Sequence, residues 1–257
     1  MRAFFTWLMC LIVAAIALQL FFVARIALMA VIDPQSTAFQ RSEAWQIATR
    51  GRSNGDASGG RAGDRAWLQR WVPYAQISDT LKRAVIASED GEFIYHQGVE
   101  WEAIERARQR NAKAEEIAAR RAAAAIARGK SPQTAKLRGG STITQQLAKN
   151  LFLSGERTLL RKGQELMLAT VLEALLSKQR ILELYLNSVE WGEGVFGAEA
   201  ASQRYFNKSA SRLSASEAAR LAVMLPSPKF FERRPGSPYI SGRAATIVAR
   251  MPSADLP

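Results

Sequence analysis

The sequence predicts an all-α protein, a helical domain carried behind one N-terminal transmembrane helix. Three observations predict it. Ala3–Ala24 is a run of 22 residues without a formal charge. At 1.5 Å per residue it makes about 33 Å of helix, enough for a hydrocarbon layer of about 30 Å. Helix start and stop signals then recur, with Ser or Thr before apolar residues at helical spacing and Gly or Pro after them. No segment carries sustained two-residue alternation or a hairpin signal, and there are no internal repeats.

The anchor comes first. A cleaved signal peptide has a shorter apolar core and a small-residue cleavage site, and neither fits here, so an uncleaved anchor with a short cytoplasmic tip is expected over residues 1–32. Arg2 and the terminal amine flank one side and Arg25 the other, so charge alone does not settle orientation. Residues 33–66 read as a linker, because Gly51 to Gly60 is polar and rich in glycine. The folded domain is expected over residues 67–257, starting at Trp67.

Within it, Ser78 can cap a helix with Leu81, Ala84 and Val85 on one face, ending near Glu89. A long Ala/Arg/Glu-rich helix should run from Glu100 to Arg128, where Gly129 and Ser131-Pro132 break it. Thr142-x-x-Gln145 is a capping-box pattern behind Gly139-Gly140, so a helix should begin at Ser141 or Thr142. Further helices fit Thr158–Ser177, Lys178–Asn187 and Ala198–Phe206. Ser214-x-x-Glu217 is a second capping box, and its helix must stop by Pro226. Gly192, Gly194 and Gly197 indicate a tight, close-approach loop, since no strand-like run precedes them as a phosphate-binding fingerprint requires.

Composition removes several function classes. A chain of 257 residues holds one sizeable core and an anchor. The single cysteine, Cys10, lies in the apolar run, so no intramolecular disulfide forms and the thiol packs as a small apolar group. The single histidine, His96, excludes a Cys/His zinc cluster and leaves acid–base chemistry mainly to carboxylates. Net charge is +12, and residues 106–138 hold ten Lys/Arg against two Glu, a local +8. A basic patch close to an anchor fits anionic lipid headgroups. No nucleic-acid motif accompanies it, so no nucleic-acid partner is expected.

The candidate chemistry lies in three places. On the Thr142 helix, Ile143, Leu147 and Leu151 form an apolar stripe, with Ser141, Gln145 and Lys149 roughly opposite and Gln146 and Asn150 beside them. Free N–H groups at the helix start, with Lys149, would suit a pyrophosphate; a plain solvated face is the alternative. Arg161 and Glu165 stand four apart, either a surface ion pair or a tuned acid, with Arg157 and Lys162 nearby. Glu89-Asp90 ends an apolar helical turn near Phe93, where desolvation would raise a carboxyl pKa and suit it to proton transfer. The competing reading is a solvated acid at a helix end. His96, two residues before Gly98, is expected to fix a turn.

Taken together these segments resemble the family-51 glycosyltransferases, the peptidoglycan glycosyltransferases, and within them the single-domain, monofunctional branch of Gram-negative bacteria. Five motifs occur in order between Ile77 and Pro228. They are Glu89-Asp90-x-x-Phe93-x-x-His96-x-Gly98, then Gly139-Gly140-Ser141-Thr142-Ile143-Thr144-Gln145-Gln146-x-x-Lys149-Asn150, then Arg161-Lys162-x-x-Glu165, then Arg180 to Asn187 with the glycine loop, and Glu217-Ala218-Ala219-x-Leu221-Ala222. The resemblance implies a lysozyme-like helical domain facing the outer leaflet of the inner membrane, with its catalytic domain in the periplasm.

The implied substrates are lipid II and the growing glycan chain, with other wall-synthesis and division proteins as partners. By the same resemblance Glu89 is the general base, and Glu165 the second glutamate that assists the leaving group. Lys149, Arg157 and Arg161 neutralise pyrophosphate. Asp90, Phe93, Ser141, Thr142, Gln145, Gln146 and Asn150 shape the cleft. No organic cofactor is implied, but a divalent cation, Mg or Mn, is. The chain departs from the family between the first two motifs, where the Ala/Arg-rich connection is longer than usual; in relatives this region is a mobile, membrane-dipping jaw. No transpeptidase domain is expected, since the chain ends at Pro257 soon after the last motif. Two other readings stay open: a glycan-cleaving lytic transglycosylase or muramidase, and a non-catalytic membrane scaffold.

Overall fold

A computed structural model of the chain describes residues 1–53, 67–128, 131, 139–153 and 158–257. In order, the described residues form α1 (Arg2–Leu28), α2 (Ala38–Ser53), β1 (Leu68–Gln69), α3 (Asp79–Glu89), α4 (Trp101–Ile126), α5 (Ile143–Phe152), α6 (Leu159–Leu175) and α7 (Lys178–Ser188). There follow β2 (Glu190–Gly192), β3 (Val195–Phe196), α8 (Ala198–Phe206), α9 (Ala215–Met224), α10 (Pro228–Glu232) and α11 (Pro238–Arg250). The expected helices form within a residue or two of their signals. Ser78, Thr158 and Ser177 each accept a backbone N–H of the first turn, and Ser214 and Glu217 complete a reciprocal box. Each such cap contributes about 1 kcal/mol.

The core lies where α5 packs against α6 and α7, and where α9 packs against α3 and α11. Trp191, Tyr185, Phe93 and Phe196 are among its fully buried side chains. Trp191 keeps its indole N–H satisfied by donating to the Leu221 carbonyl at 3.1 Å.

Two features differ from the sequence reading. The fold is mostly helical, but β2 and β3 pair antiparallel around Glu193-Gly194, and β1 pairs parallel with β3. Strands of two or three residues are too short to show alternation, and β2 and β3 are buried on both faces. The glycine loop makes this turn. Gly194 and Gly197 have φ of 75° and 85°, and a Cβ on Gly192 would lie 2.5 Å from Tyr205 Oη.

The second difference is in the segment read as a linker, whose first part is α2. Thr37 and Gln40 form a reciprocal cap: Gln40 N–H donates to Thr37 Oγ1 at 3.0 Å and Thr37 N–H to Gln40 Oε1 at 2.8 Å. Thr37, Gln40 and Glu43 are buried, and α2 packs on α5. The Thr-x-x-Gln signal stood in the sequence, hidden by the glycine-rich stretch after it. Residues 54–66 lie outside the described residues.

The one helix long and apolar enough to cross a membrane is α1, among the described residues. Its C-terminal end joins the domain. Ile26 and Met29 belong to the buried core, and Arg180 donates to the Met29 carbonyl at 2.7 Å while pairing with Asp33 at 2.7 Å.

Glu43 of α2, Glu190 of β2 and Lys229 of α10 meet in one buried cluster. Lys229 bonds Glu43 and stands 3.5 Å from Glu190. Burial pushes the Glu190 carboxyl up to about 7, with Lys229 pulling it down and Glu43 adding to the rise. A raised folded pKa gives stability that is full below the ordinary 4.5 and is lost as pH rises through about 7. Between pH 5 and pH 8, Glu190→Gln should therefore lose less stability than the parent, by about 2 kcal/mol in urea denaturation. Parallel curves for the two proteins would contradict this.

Candidate active site

Glu89 ends α3 and Asp90 is its C-cap. Glu89 is partly exposed. Its Oε2 accepts from Gln146 Nε2 at 3.1 Å, and Tyr185 Oη donates to Gln146 Oε1 at 2.9 Å, so the amide is held from both ends. Burial raises the Glu89 pKa above 4.5, opposed by the hydrogen bonds from Gln146 and Ser88; Asp90 adds to the rise and Arg243 opposes it. Burial also holds the Tyr185 phenol well above its usual value, with Glu89 and Asp90 adding to it, so Tyr185 remains a donor.

Asp90 has a different task. It is 5% exposed, and its Oδ2 accepts the Ile143 N–H of the first turn of α5 at 2.9 Å. His96 Nε2 lies 2.9 Å from its Oδ1. Gly98 N–H donates to His96 Nδ1 at 3.1 Å, so Nε2 carries the ring proton and donates to Asp90. Thr142 Oγ1 donates to the Gly98 carbonyl at 2.6 Å and accepts the Gln145 N–H at 3.2 Å. His96 and Gly98 thus form a clamp between the two motifs. A Cβ on Gly98, at φ 84°, would meet the Ala169 carbonyl at 3.0 Å.

This clamp corrects the reading of α5 as an open anion site. Two of its first three N–H groups, those of Ile143 and Gln145, already bind Asp90 and Thr142, as a helix buried at its start requires. Thr142 caps, but Gln145 does not reach back to complete the expected box. The Gln145 side chain is fully buried with neither amide atom hydrogen-bonded, and Asn150 is buried too. The polar face expected over Gln145 and Asn150 is thus interior, because α6 and α7 pack on α5 together with α2. Gln146, partly exposed, and Lys149, exposed, remain accessible. Phe93, read as shaping the cleft, is fully buried instead, with Lys178 Nζ 4.6 Å from its ring centroid.

The second acid lies on α6. Glu165 is 4% exposed, which decides against a surface ion pair. Its Oε2 accepts from Arg161 at 3.2 Å and its Oε1 from Lys162, and Lys162 also reaches Ser141 Oγ at 3.5 Å. Arg157 lies outside the described residues. A cavity of about 500 Å³ opens beside this cluster, lined by Arg108, Asn111 and Glu115 of α4 and by Gly140, Ser141 and Lys162. Gly140 is needed there, since a Cβ would meet the Ala103 carbonyl and Ala107 Cβ at 3.0 Å.

No three His, Cys, Asp or Glu side chains come together as metal ligands among the described residues. Both Glu165 oxygens are committed to Arg161 and Lys162. These residues do not build a protein-only site for the divalent cation that the resemblance implied.

Two acids thus stand near the start of α5: the partly buried Glu89 against Gln146, and the buried Glu165, whose partner Lys162 reaches Ser141. The sequence matches the transglycosylase family over residues 60–252. The chain belongs to that family. Among its relatives, the biosynthetic peptidoglycan transglycosylase of Burkholderia pseudomallei (strain K96243) is 50% identical over 244 residues, 95% of this chain and 84% of the relative. The protein of that name from Paraburkholderia xenovorans (strain LB400) is 47% identical over 245 residues, 95% and 90%. That from Bordetella pertussis (strain Tohama I / ATCC BAA-589 / NCTC 13251) is 46% identical over 250 residues, 97% and 93%.

Sequence reasoning missed three groups in this transglycosylase site. Lys162 was noted beside Arg161 but not counted, although i,i+3 spacing to Glu165 is as good a signal as i,i+4. Tyr185 sat inside the fourth motif without an assigned role. Arg108, Asn111 and Glu115 carry no local signal, since only the packing of α4 over Gly140 brings them to the cavity.

The two adjacent acids should respond oppositely to substitution. Asp90→Ala removes a buried acceptor shared by α5 and His96, and should cost about 3 kcal/mol in urea denaturation. Glu89 has a raised folded pKa, so its favourable contribution is full below 4.5 and is lost as pH rises through that raised value. Glu89→Gln should therefore leave stability at pH 7 unchanged or increased. Equal losses in the two variants would contradict this division of labour.

Proposed function

We propose that this transglycosylase polymerises peptidoglycan glycan from lipid II at the outer face of the bacterial inner membrane. The observation that carries the reading is Glu89, a partly buried carboxylate with a raised pKa, aimed by a Gln146 amide that Tyr185 fixes in turn. In this reaction Glu89 takes the proton of the 4-hydroxyl on the acceptor's N-acetylglucosamine. The oxygen attacks the anomeric carbon of the growing chain's lipid-linked end and inverts it to a β-1,4 bond. The bond to pyrophosphate breaks, and undecaprenyl pyrophosphate leaves with the electron pair.

A base of raised pKa serves this step better than an ordinary carboxylate, since it binds the proton more strongly as the bond forms. Negative charge develops on the departing pyrophosphate, where Arg161, Lys162 and Lys149 can offset it in a partly dry cleft. Glu165 holds the two α6 cations in place.

The test is polymer formation from labelled lipid II by the full chain in vesicles. Glu89→Gln should lose at least about 10²-fold in rate with its fold intact. Near-parental polymerisation by the folded variant would remove Glu89 from the mechanism. Cleavage of preformed glycan without any polymer from lipid II would instead identify a lytic enzyme.

The membrane partner rests on α4. Arg120, Arg121 and Arg128 are exposed, whereas Lys130 lies outside the described residues. At about 1 kcal/mol per basic side chain near an anionic surface, three such residues favour a docked α4. Polymerisation should therefore run faster in anionic than in neutral vesicles. Replacing the three arginines with Gln should bring that ratio towards one. High salt should do the same, since surface charge acts within about 10 Å. A ratio untouched by both changes would leave α4 without a membrane role.

A further inference from the structure

Most of α1 is exposed along its length, but one stripe is not. Gln19, Phe22, Ile26 and Met29 follow at spacings of three, four and three, and they run from partly to fully buried against the domain. Phe22 meets Phe152 at the end of α5 with ring centroids 5.3 Å apart. Arg25 lies over the same Phe152 ring at 5.5 Å. Deepest in the stripe is a polar pair. Gln164 Nε2 donates to Gln19 Oε1 at 3.1 Å, and Gln19 Nε2 faces Gln164 Oε1 at 3.4 Å.

The placement of this pair is informative. Gln19 stands six residues inside Arg25, which is about 9 Å of helix deeper into the apolar segment. A lone primary amide at that depth is costly, whereas a reciprocal pair satisfies both and joins the helices that carry it. The contacts also fix direction. Gln164 is level with Gln19, while Arg180 beyond α6 is level with Met29 and Asp33. So α6 climbs outward alongside α1, and its first residues lie deepest. Those residues are Leu159 and Leu160, 92% and 89% exposed. The outer face continues through Gly163, Met167 and Thr170 without a charge.

Gln164 precedes Glu165, and the same two turns carry Arg161 and Lys162 towards the cleft. We propose that the Gln19–Gln164 amide pair is a positioning contact that locks α6 to the anchor. It sets the depth at which Arg161, Lys162 and Glu165 meet the headgroup of a membrane-bound substrate. The anchor is then part of the catalytic apparatus. Leu159 and Leu160 rest in the acyl chains, whereas Arg161 and Lys162 turn towards Glu165 and the cleft. The consequence for the reaction rests on the lipid II reading above; the depth does not.

The test uses the full chain in phospholipid vesicles, with Gln19→Leu, Gln164→Leu and the double variant. Depth is read from a fluorophore on Leu160→Cys in a Cys10→Ser background, quenched by lipids brominated in the acyl chain. The reaction is read as kcat and KM with labelled lipid II. Each single variant should cut quenching by about twofold and kcat by about fivefold, with thermal unfolding unchanged. The double variant should be no slower than the worse single, because both break one contact.

Unchanged quenching in the variants would overturn the depth lock. Altered quenching with parental kcat would overturn its role in the reaction. A parental chain that makes no polymer would sink the lipid II reading, while the quenching arm still decides the lock.

Discussion

Asp90 is the constraint on which the rest of the site depends. Its carboxylate receives the first N–H of α5 and the Nε2–H of His96, and it is almost wholly buried while doing so. A buried carboxylate with one missing partner is strongly unfavourable, so the end of α3, the His96 turn and the start of α5 hold one arrangement or none. Glu89 is the neighbour of Asp90, and Gln146 sits one turn into α5. Fixing the first pair of backbones fixes the second pair of side chains. Glu89, the proposed base, is therefore aimed by a structural acid beside it.

The same helix ties the two ends of the cleft together. At its start, Ser141 approaches Lys162, which with Arg161 holds the buried Glu165. One turn on, Gln146 touches Glu89. At its end, Phe152 receives Phe22 and Arg25 of the membrane helix. Glu89, the cationic cluster and α1 are all referred to α5. Its surroundings leave it little freedom, because α2, α6 and α7 all pack on it.

Much of this was legible in the sequence, and the reasons are local. Capping residues at Ser78 and Ser214 are short-range signals that placed two helices. The order of motifs around Glu89, Lys149 and Glu165 identified the family. The apolar stripe Ile143, Leu147 and Leu151 faces the core as read, but the polar residues beside it do not all face out. Gln145 and Asn150 look like a solvated face on a helical wheel, yet packing by three helices makes them interior. Thr37 and Gln40 form a full cap that the reading passed over, whereas Thr142 and Gln145 match the same pattern and form half of one. In the second case Asp90, 53 residues away in sequence, supplies the bond to the first turn of α5. Local rules cannot see a distant competitor.

The account's central claim is that Glu89 is a base tuned by burial and held down by the amide that aims it. The acid limb of the pH–rate profile for lipid II polymerisation tests it most directly, in the parent chain and in Gln146→Leu. The parent limb should lie above the ordinary carboxylate value of 4.5, because burial disfavours the charged form. Gln146→Leu should move it higher still, because the lost hydrogen bond is one that lowers the Glu89 pKa. A limb at or below the ordinary value, or one that Gln146→Leu leaves in place, would contradict the account.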